Sequence, residues 1–215
     1  MAEFKLHCFC QSGNAFKVAS MLNCTKADWE PVLVDFMKGA TRDASWRAST
    51  NEMGEAPVLD HKGLRLTQSG VILDYLAGVT GQFGGRNEAE KREIWRWVLF
   101  DNHKFTSYLA TYRFMKAFQP QAPDPAVLAF LKARAESAFG IVEKHLGKQP
   151  FIVGDRPTIA DLSLSGYVFY PIDEHGFDFA AQYPGIDAWR GRIKALPGWK
   201  EPYATMPGER IQPFR

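Results

Sequence analysis

Residues 51–76 read NEMGEAPVLDHKGLRLTQSGVILDYL and contain the most informative sequence pattern of the chain. Pro57 stands directly before an apolar strand, and an X-Pro bond adopts the cis isomer far more readily than other peptide bonds. A cis turn there would leave the amide and carbonyl of Ala56 facing outward. Asp60–Gly63 has the composition of a hairpin turn, and Leu64–Thr67 alternates as a returning strand does. The stretch therefore predicts a cis-proline turn followed by a β-hairpin.

A capped helix is predicted directly after the hairpin. Ser69 precedes four apolar residues at helical spacing, namely Val71, Ile72, Tyr75 and Leu76. Serine is a favoured N-cap, and the free amides at the start of a helix attract a carboxylate. A capped helix alone is usually structural. The turn, the hairpin and the cap in this order instead indicate a site for a small anionic peptide.

The chain before this stretch has the pattern of a β-α-β unit. Phe4–Phe9 and Pro31–Phe36 are apolar-rich strand candidates, and Asn14–Leu22 has helical periodicity. With the hairpin and the helix, this order predicts a thioredoxin-like α/β domain over residues 1–79. A glycine-rich connector, 78–87, follows it.

Only helical patterns occur after the connector. Glu88–Phe118 predicts one long amphipathic helix, and Val127–Leu146 predicts a second. Thr158 and Asp161 have the spacing of a capping box, in which each side chain satisfies a main-chain amide of the other. We therefore expect an all-helical second domain over residues 87–215.

Three stretches together resemble the cytosolic glutathione transferase family. They are residues 51–76, the string GDRPTIAD at 154–161, and the pattern from Tyr183-Pro184 to Trp199. The resemblance implies a thioredoxin-like N-terminal domain followed by an all-helical C-terminal domain. It also implies transfer of glutathione to a small hydrophobic electrophile by a homodimer. The first loop is similar to that of bacterial members with a serine or an asparagine in this position.

The resemblance places the group that activates the glutathione thiol in the loop CQSGNAFKV, residues 10–18. A free thiol has a pKa of about 8.5, so only a few per cent is thiolate at neutral pH. Ser12 is the first candidate, because its O–H would donate to the sulfur beside a helix N-terminus. Asn14 is the second candidate donor. Cys10 is the third, and a mixed disulfide there would give thiol-transfer chemistry. A plain helix cap is an equally good interpretation of Ser12 or Asn14.

The remaining contacts to glutathione are likewise implied by the resemblance. Ser69 and Gln68 would bind the γ-glutamyl carboxylate, and Ala56, through the Pro57 turn, would bind the cysteinyl main chain. Gln68 replaces an acidic residue of many relatives, which leaves the glutamyl ammonium without a carboxylate. Asp101, acting across a subunit interface, is the candidate for that charge, although a solvated acid is the commoner interpretation.

Two further groups of residues are candidates for the remaining contacts. Three cations after the second strand are candidates for the glycyl carboxylate: Lys38, which we take into the binding set, Arg42 and Arg47. Five aromatic residues are candidates for the electrophile pocket, although helically spaced aromatics are more often core: Trp97, Phe105, Tyr108, Tyr112 and Phe214.

Composition excludes several classes of function. The 215 residues carry a net charge of +2 with no basic block, which argues against nucleic acid as a partner. No apolar run approaches the about 18 residues of a membrane span, and the first residues do not resemble a secretory signal, so we expect a cytoplasmic protein. Three cysteines without ligand spacing predict no metal site. The alternatives are a glutathione-dependent disulfide reductase or peroxidase, and a non-catalytic binding module.

Overall fold

The computed structural model describes residues 2–214 and divides them into two compact units. The first unit contains residues 2–82 and Leu196–Arg210, and the second contains Phe83–Ala195 and 211–214. The sequence placed the boundary in the connector 78–87, with one domain over residues 1–79 and the helical domain over 87–215. Leu196–Arg210, which we call the C-terminal strap, instead packs on the first unit. Helical periodicity carries no signal for such a return of the chain.

The first unit is built on a four-stranded mixed sheet. Its strands are β1 (Phe4–Cys8), β2 (Trp29–Leu33), β3 (Val58–His61) and β4 (Leu64–Thr67), in the spatial order β2-β1-β3-β4. β1 is parallel to β2 and antiparallel to β3, and Leu6 is in register with Pro31 on one side and Leu59 on the other. This arrangement confirms the predicted thioredoxin-like unit.

Helices α1 (Gly13–Cys24), α2 (Ala44–Ser49) and α3 (Ser69–Thr80) complete the first unit, with two short 3₁₀ turns at Phe36–Lys38 and Ala40–Arg42. Its core contains several fully buried apolar side chains, among them Leu6, Phe16, Leu22, Leu59 and Ile72. Burying a side chain of this size contributes about 1.5–3 kcal/mol. The core thereby holds the N-terminus of α1 in a fixed place on the sheet.

The β3–β4 hairpin has a shorter turn than the sequence predicted. Lys62 and Gly63 form the two-residue turn, with φ of 48° and 82°, whereas His61 belongs to β3. The reason is packing: the His61 ring is buried, stacks on Phe4 at 4.1 Å and lies 2.6 Å from the Tyr75 hydroxyl through Nδ1. A buried residue with these contacts extends the strand at the expense of the turn.

Over its described residues, the second unit consists of helices and connecting loops without a strand. The helices are α4 (Glu88–Phe100), α5 (Thr106–Arg113), α6 (Pro125–Leu146), α7 (Ile159–Leu164), α8 (Ile172–His175), α9 (Phe179–Gln182) and α10 (Pro184–Lys194). A further short helix, α11 (Pro202–Thr205), lies within the C-terminal strap. The long helix predicted over 88–118 is present but is interrupted by π-helical turns at Asp101–Phe105 and Phe114–Phe118. Each wider turn shifts the face that later residues present.

The capping box at the start of α7 is confirmed. Thr158 accepts from the Ala160 amide, and the Asp161 carboxylate accepts from the Thr158 amide at 2.8 Å. Between residues 2 and 214, no helix combines the length and the apolarity that crossing a bilayer requires.

Candidate functional site

Ser12 is the N-cap of α1, and its geometry allows a second role. Its backbone is extended at φ −84° and ψ 105°, and its Oγ accepts a hydrogen bond from the Ala15 amide at 3.1 Å. Accepting that bond uses an oxygen lone pair and leaves the hydroxyl proton available for donation. The side chain is nearly buried. Capping and donation to a ligand sulfur are therefore compatible in one residue.

Asn14, in the first turn of α1, carries an unsatisfied buried acceptor. Its Oδ1 is shielded from solvent and has no hydrogen-bond partner among the described residues. Leaving such a group unpaired costs about 1–3 kcal/mol, so native structures rarely keep one without a function. The unpaired oxygen keeps Asn14, beside the Ser12 hydroxyl, a candidate for contact with a ligand.

The cysteines beside Ser12 are fully buried. The Cys10 amide donates to the Pro207 carbonyl at 2.9 Å, and the Cys10 thiol lies 3.5 Å from the Glu209 carbonyl. Burial, with a smaller contribution from Cys10, raises the pKa of the Cys8 thiol to about 12. Cys10 has no exposed surface, so its sulfur is out of reach of a second sulfur atom. The hypothesis that Cys10 forms a mixed disulfide does not fit this geometry.

The predicted cis bond between Ala56 and Pro57 is confirmed. Asn51 holds the preceding turn by donating from Nδ2 to the Glu55 carbonyl at 2.8 Å and accepting from the Met53 amide at 3.1 Å. Within residues 2–214, the main-chain amide and carbonyl of Ala56 have no hydrogen-bond partner. The turn is thus stabilised without using the two groups that an extended peptide would pair with.

The start of α3 differs by one residue from the prediction. Ser69 is the first helical residue and Gln68 is the N-cap, with φ 67° and ψ 114° and no capping bond from its side chain. Ser69 is therefore not the N-cap, because the chain leaves β4 in a left-handed conformation at Gln68. The consequence favours binding: the first amides of α3 lack a side-chain cap and retain their attraction for a carboxylate.

Glu55 lies beside Gln68, a pairing that the sequence did not reveal. Gln68 Nε2 donates to Glu55 Oε2 at 2.8 Å, and both side chains are exposed. The two residues are separated by 13 positions, and only the cis turn and the hairpin bring them together. The sequence places Glu55 close to the proline turn, but it does not indicate that Gln68 is the residue to which Glu55 bonds.

Asp101 does not face a ligand, and this expectation has to be corrected. The residue has no exposed surface, and its two carboxylate oxygens accept from the hydroxyls of Thr106 and Ser163, each at 2.6 Å. The π-helical turn that begins at Asp101 directs it into the core of the helical unit. A buried carboxylate with these partners is a structural group.

Among the three candidate cations, Arg47 lies against the cis-proline turn. A Cβ added at Gly54 would lie 2.6 Å from Arg47 Nη2, and the Arg47 Nε donates to the Thr41 carbonyl at 3.0 Å. An open cavity of about 390 Å³ is lined by residues 47–53 together with Arg65 and Thr67.

Lys38, the cation taken into the binding set, is exposed and forms an ion pair with Asp35 at 2.8 Å.

Three of the candidate pocket aromatics, Trp97, Phe105 and Tyr112, are buried core residues. Trp97 packs against His145 with ring centroids 4.3 Å apart, and Phe105 packs against Phe139 at 5.2 Å. Tyr108 is only half-buried, and a hydrogen bond from Arg134 lowers the pKa of its phenol. Tyr108 therefore remains a candidate for contact with a second substrate.

These features define a class of proteins in which a thioredoxin-like unit carries a peptide site and is followed by a helical unit. Residues 2–78 match the model of the glutathione S-transferase N-terminal domain, and residues 125–192 match that of the C-terminal domain. A solved glutathione S-transferase from Pseudomonas fluorescens is 30% identical, with a TM-score of 0.84 over 94% of this chain and 99% of that one. The chain belongs to the glutathione S-transferase family.

Curated relatives with different names also align over most of the chain. Glutathione S-transferase F14 of Arabidopsis thaliana is 26% identical over 92% of this chain and 82% of its own length. The disulfide-bond oxidoreductase YfcG of Escherichia coli is 25% identical over 88% of this chain and 89% of its own length. Its relatives therefore include proteins named as glutathione S-transferases and one named as a disulfide-bond oxidoreductase.

Proposed function

We propose that this glutathione transferase activates the thiol of its co-substrate glutathione for attack on a small hydrophobic electrophile. Ser12 donates its hydroxyl proton in a hydrogen bond to the sulfur and so favours the thiolate. The proposal rests on the geometry of the helix cap. The Oγ of Ser12 accepts a hydrogen bond from the Ala15 amide, so its own proton is available for the ligand.

The available interactions are large enough for this task. A hydrogen bond to a charged group contributes about 1.5–3 kcal/mol, and a helix N-terminus contributes about 0.3–1 kcal/mol. One pKa unit corresponds to about 1.4 kcal/mol, so the two effects together lower a thiol pKa of about 8.5 by one to two units or more. A substantial fraction of the glutathione bound at Ser12 is then thiolate at neutral pH. Asn14 supplies a second polar group to the cysteinyl part of the ligand.

The peptide would extend from α3 across the cis-proline turn. The uncapped start of α3, with Ser69 and Gln68, binds the γ-glutamyl carboxylate, and the free main chain of Ala56, before Pro57, pairs with the cysteinyl main chain.

The two charged ends of glutathione find partners on the same turn. Glu55, in contact with Gln68, supplies the carboxylate for the glutamyl ammonium that we had expected from Asp101. Arg47, with Lys38 as the alternative, binds the glycyl carboxylate.

Ser12→Ala tests the central step. We expect kcat to fall by about 10²–10³-fold, as for loss of one donor to a developing anion, while glutathione binds within a few-fold of its original Kd. Ultraviolet absorbance of the bound thiolate should decrease in parallel. Ser137→Ala, at an exposed position of α6, is the matched control. Unchanged turnover and thiolate absorbance in Ser12→Ala would assign the role to Asn14.

Glu55→Gln tests the ammonium contact. The change keeps the size of the side chain and removes its charge, so we expect glutathione to bind about two- to tenfold more weakly, as for loss of an exposed ion pair. An analogue of glutathione that lacks the amino group should bind the two proteins equally. Calorimetry measures the Kd of both ligands for both proteins. If Glu55→Gln weakened the binding of both ligands equally, Glu55 would not be the partner of the ammonium group.

A second candidate function is reduction of disulfides or peroxides by the bound glutathione thiol. It is favoured by the similarity to a relative named as a disulfide-bond oxidoreductase. Because Cys10 is buried, such a reaction would have to use the ligand sulfur itself. Parallel assays with a chloronitrobenzene and with a mixed disulfide of glutathione separate the two reactions. Glutathione binding in calorimetry without thiolate absorbance or turnover would favour a non-catalytic module.

The homodimer and the cytoplasmic location remain predictions. Sedimentation equilibrium tests the first, and fractionation of the source cells tests the second.

A further inference from the structure

The C-terminal strap follows α1 from one end to the other. At its beginning, Gly198 has φ 83°, and a Cβ there would lie 2.4 Å from the Asn23 carbonyl at the end of α1. Pro202 and Met206 are buried between the two ends of the strap. The close approach at Gly198 requires a residue without a side chain, so the strap is seated in a defined position along the helix.

At its other end the strap is bound to the loop before α1. The Pro207 carbonyl accepts from the Cys10 amide at 2.9 Å, and the Glu209 carbonyl accepts from Gln11 Nε2 at 2.6 Å. Gly208, between them, has φ 108°, and a Cβ added there would lie 3.2 Å from Cys10 Sγ. Gln11 itself is buried. The strap thus holds the two residues that directly precede Ser12.

We infer that the C-terminal strap sets the position of the Ser12 hydroxyl, with Gln11 and Gly208 as positioning residues. Neither residue needs to touch glutathione. The Ser12 amide donates to the Phe9 carbonyl at 3.0 Å, so the loop from residue 9 to residue 12 is one closed turn. A displacement of Cys10 and Gln11 therefore moves Ser12 relative to the amides of α1. The inference rests on the proposed role of Ser12.

The effect of losing the contact should be on chemistry more than on binding. The peptide seat lies on α3 and on the turn before Pro57, whereas the hydrogen bonds from the strap to Cys10 and Gln11 act on the loop before α1, so the seat should retain the peptide. A hydroxyl misplaced by about 1 Å loses much of its stabilisation of the thiolate, because catalytic geometry tolerates little displacement. If the strap served only to stabilise the fold, loss of the contact would instead lower the melting temperature without changing the thiol pKa.

Two variants break the contact from opposite sides. Gln11→Met keeps the length of the side chain and removes its donor without adding charge, whereas Gly208→Ala disturbs the strap through its left-handed conformation. Gln182→Met, at an exposed residue of α9, is the matched control. The readouts are hydrogen exchange of the Cys10 amide without ligand, the pH dependence of thiolate absorbance of bound glutathione, kcat, and the Kd for glutathione by calorimetry.

We expect both variants to exchange the Cys10 amide at least about tenfold faster, to raise the pKa of bound glutathione by about one unit, and to lower kcat about tenfold with Kd changed less than about threefold. Native exchange or a native thiol pKa in both variants would overturn the inference. So would a weaker Kd at unchanged kcat. If the unaltered protein binds glutathione without forming thiolate, the proposed function fails instead. If Gln11→Met unfolds, Gly208→Ala decides the outcome.

Discussion

The N-termini of α1 and α7 use similar residues in opposite ways. At α7, Asp161 accepts from the amides of Thr158 and Ile152 and from the Trp189 indole, at 2.8–2.9 Å, and is fully buried. At α1, Ser12 accepts one amide hydrogen, and the residue three positions on, Ala15, has no side chain that can complete a box. A saturated cap stabilises the fold, whereas an incomplete one leaves groups that a ligand can use.

Asp161→Ala should give the largest loss of stability in this comparison. The change leaves two buried amides and the Trp189 indole without their acceptor, at about 1–3 kcal/mol for each unpaired group. We expect the free energy of unfolding to fall by about 3–5 kcal/mol in denaturant titration, the range seen when one partner of a buried charged network is removed. Burial raises the pKa of Asp161, while its hydrogen bonds act in the opposite direction.

Asp155→Ala is the control for this experiment. Asp155 is exposed and pairs loosely with Arg86 at 3.5 Å, so its loss should change stability by less than about 0.5 kcal/mol. If the two variants were equally stable, the cap of α7 would not be the stabilising counterpart of the cap of α1.

A second prediction uses pH to test the helical unit. Burial lowers the pKa of His175 to about 4, and its Nε2 donates to the Tyr170 carbonyl while Nδ1 accepts from the Phe177 amide. The neutral ring is thus favoured in the folded state, and the unfolded chain binds a proton first on acidification. Its contribution is present above pH 6.5 and is lost as the pH falls towards about 4, at most about 3 kcal/mol.

His175→Asn should remove most of this acid dependence. Unfolding free energies measured across that pH interval should fall less steeply in the variant than in the unaltered protein, and His103→Asn, at an exposed position, should behave as the unaltered protein does. Parallel pH profiles for all three proteins would show that His175 is not the group responsible.

Residues 51–76 made much of the first unit predictable, because each of its elements is specified by residues that are neighbours in the sequence. A proline before a strand, a hairpin turn within Asp60–Gly63 and an amphipathic helix each follow from neighbouring residues, and the structure has all three, with the turn shortened to Lys62 and Gly63. The spacing of Thr158 and Asp161 likewise predicted a capping box that is present. Short-range patterns of this kind are set by backbone geometry and capping, which require no knowledge of the remaining chain.

The features that sequence reasoning missed depend on distant contacts. Gln68 meets Glu55 only after the hairpin has formed, and the strap meets Gln11 across 198 positions. Asp101 was misplaced because the prediction considered only its charge, whereas folding brings the hydroxyls of Thr106 and Ser163 to its carboxylate inside the core. Periodicity describes one element at a time, so it carries no information on which elements later pack together.

Asn14→Ala gives the smallest expected effect on stability and the sharpest test of the contrast between the two caps. In the protein without ligand, the change removes the unpaired Oδ1 and introduces a better helix former, so the free energy of unfolding should rise by about 0.5–1 kcal/mol. With saturating glutathione the variant should instead be the less stable of the two proteins. A ligand stabilises the folded state more the more tightly it binds, and the variant has lost a contact to the ligand. Asn102→Ala, at an exposed residue whose side chain already donates to the Val98 carbonyl at 2.9 Å, should show no such reversal. A variant that is destabilised equally with and without ligand would mean that Asn14 serves the helix alone, and the two caps would then differ only in degree.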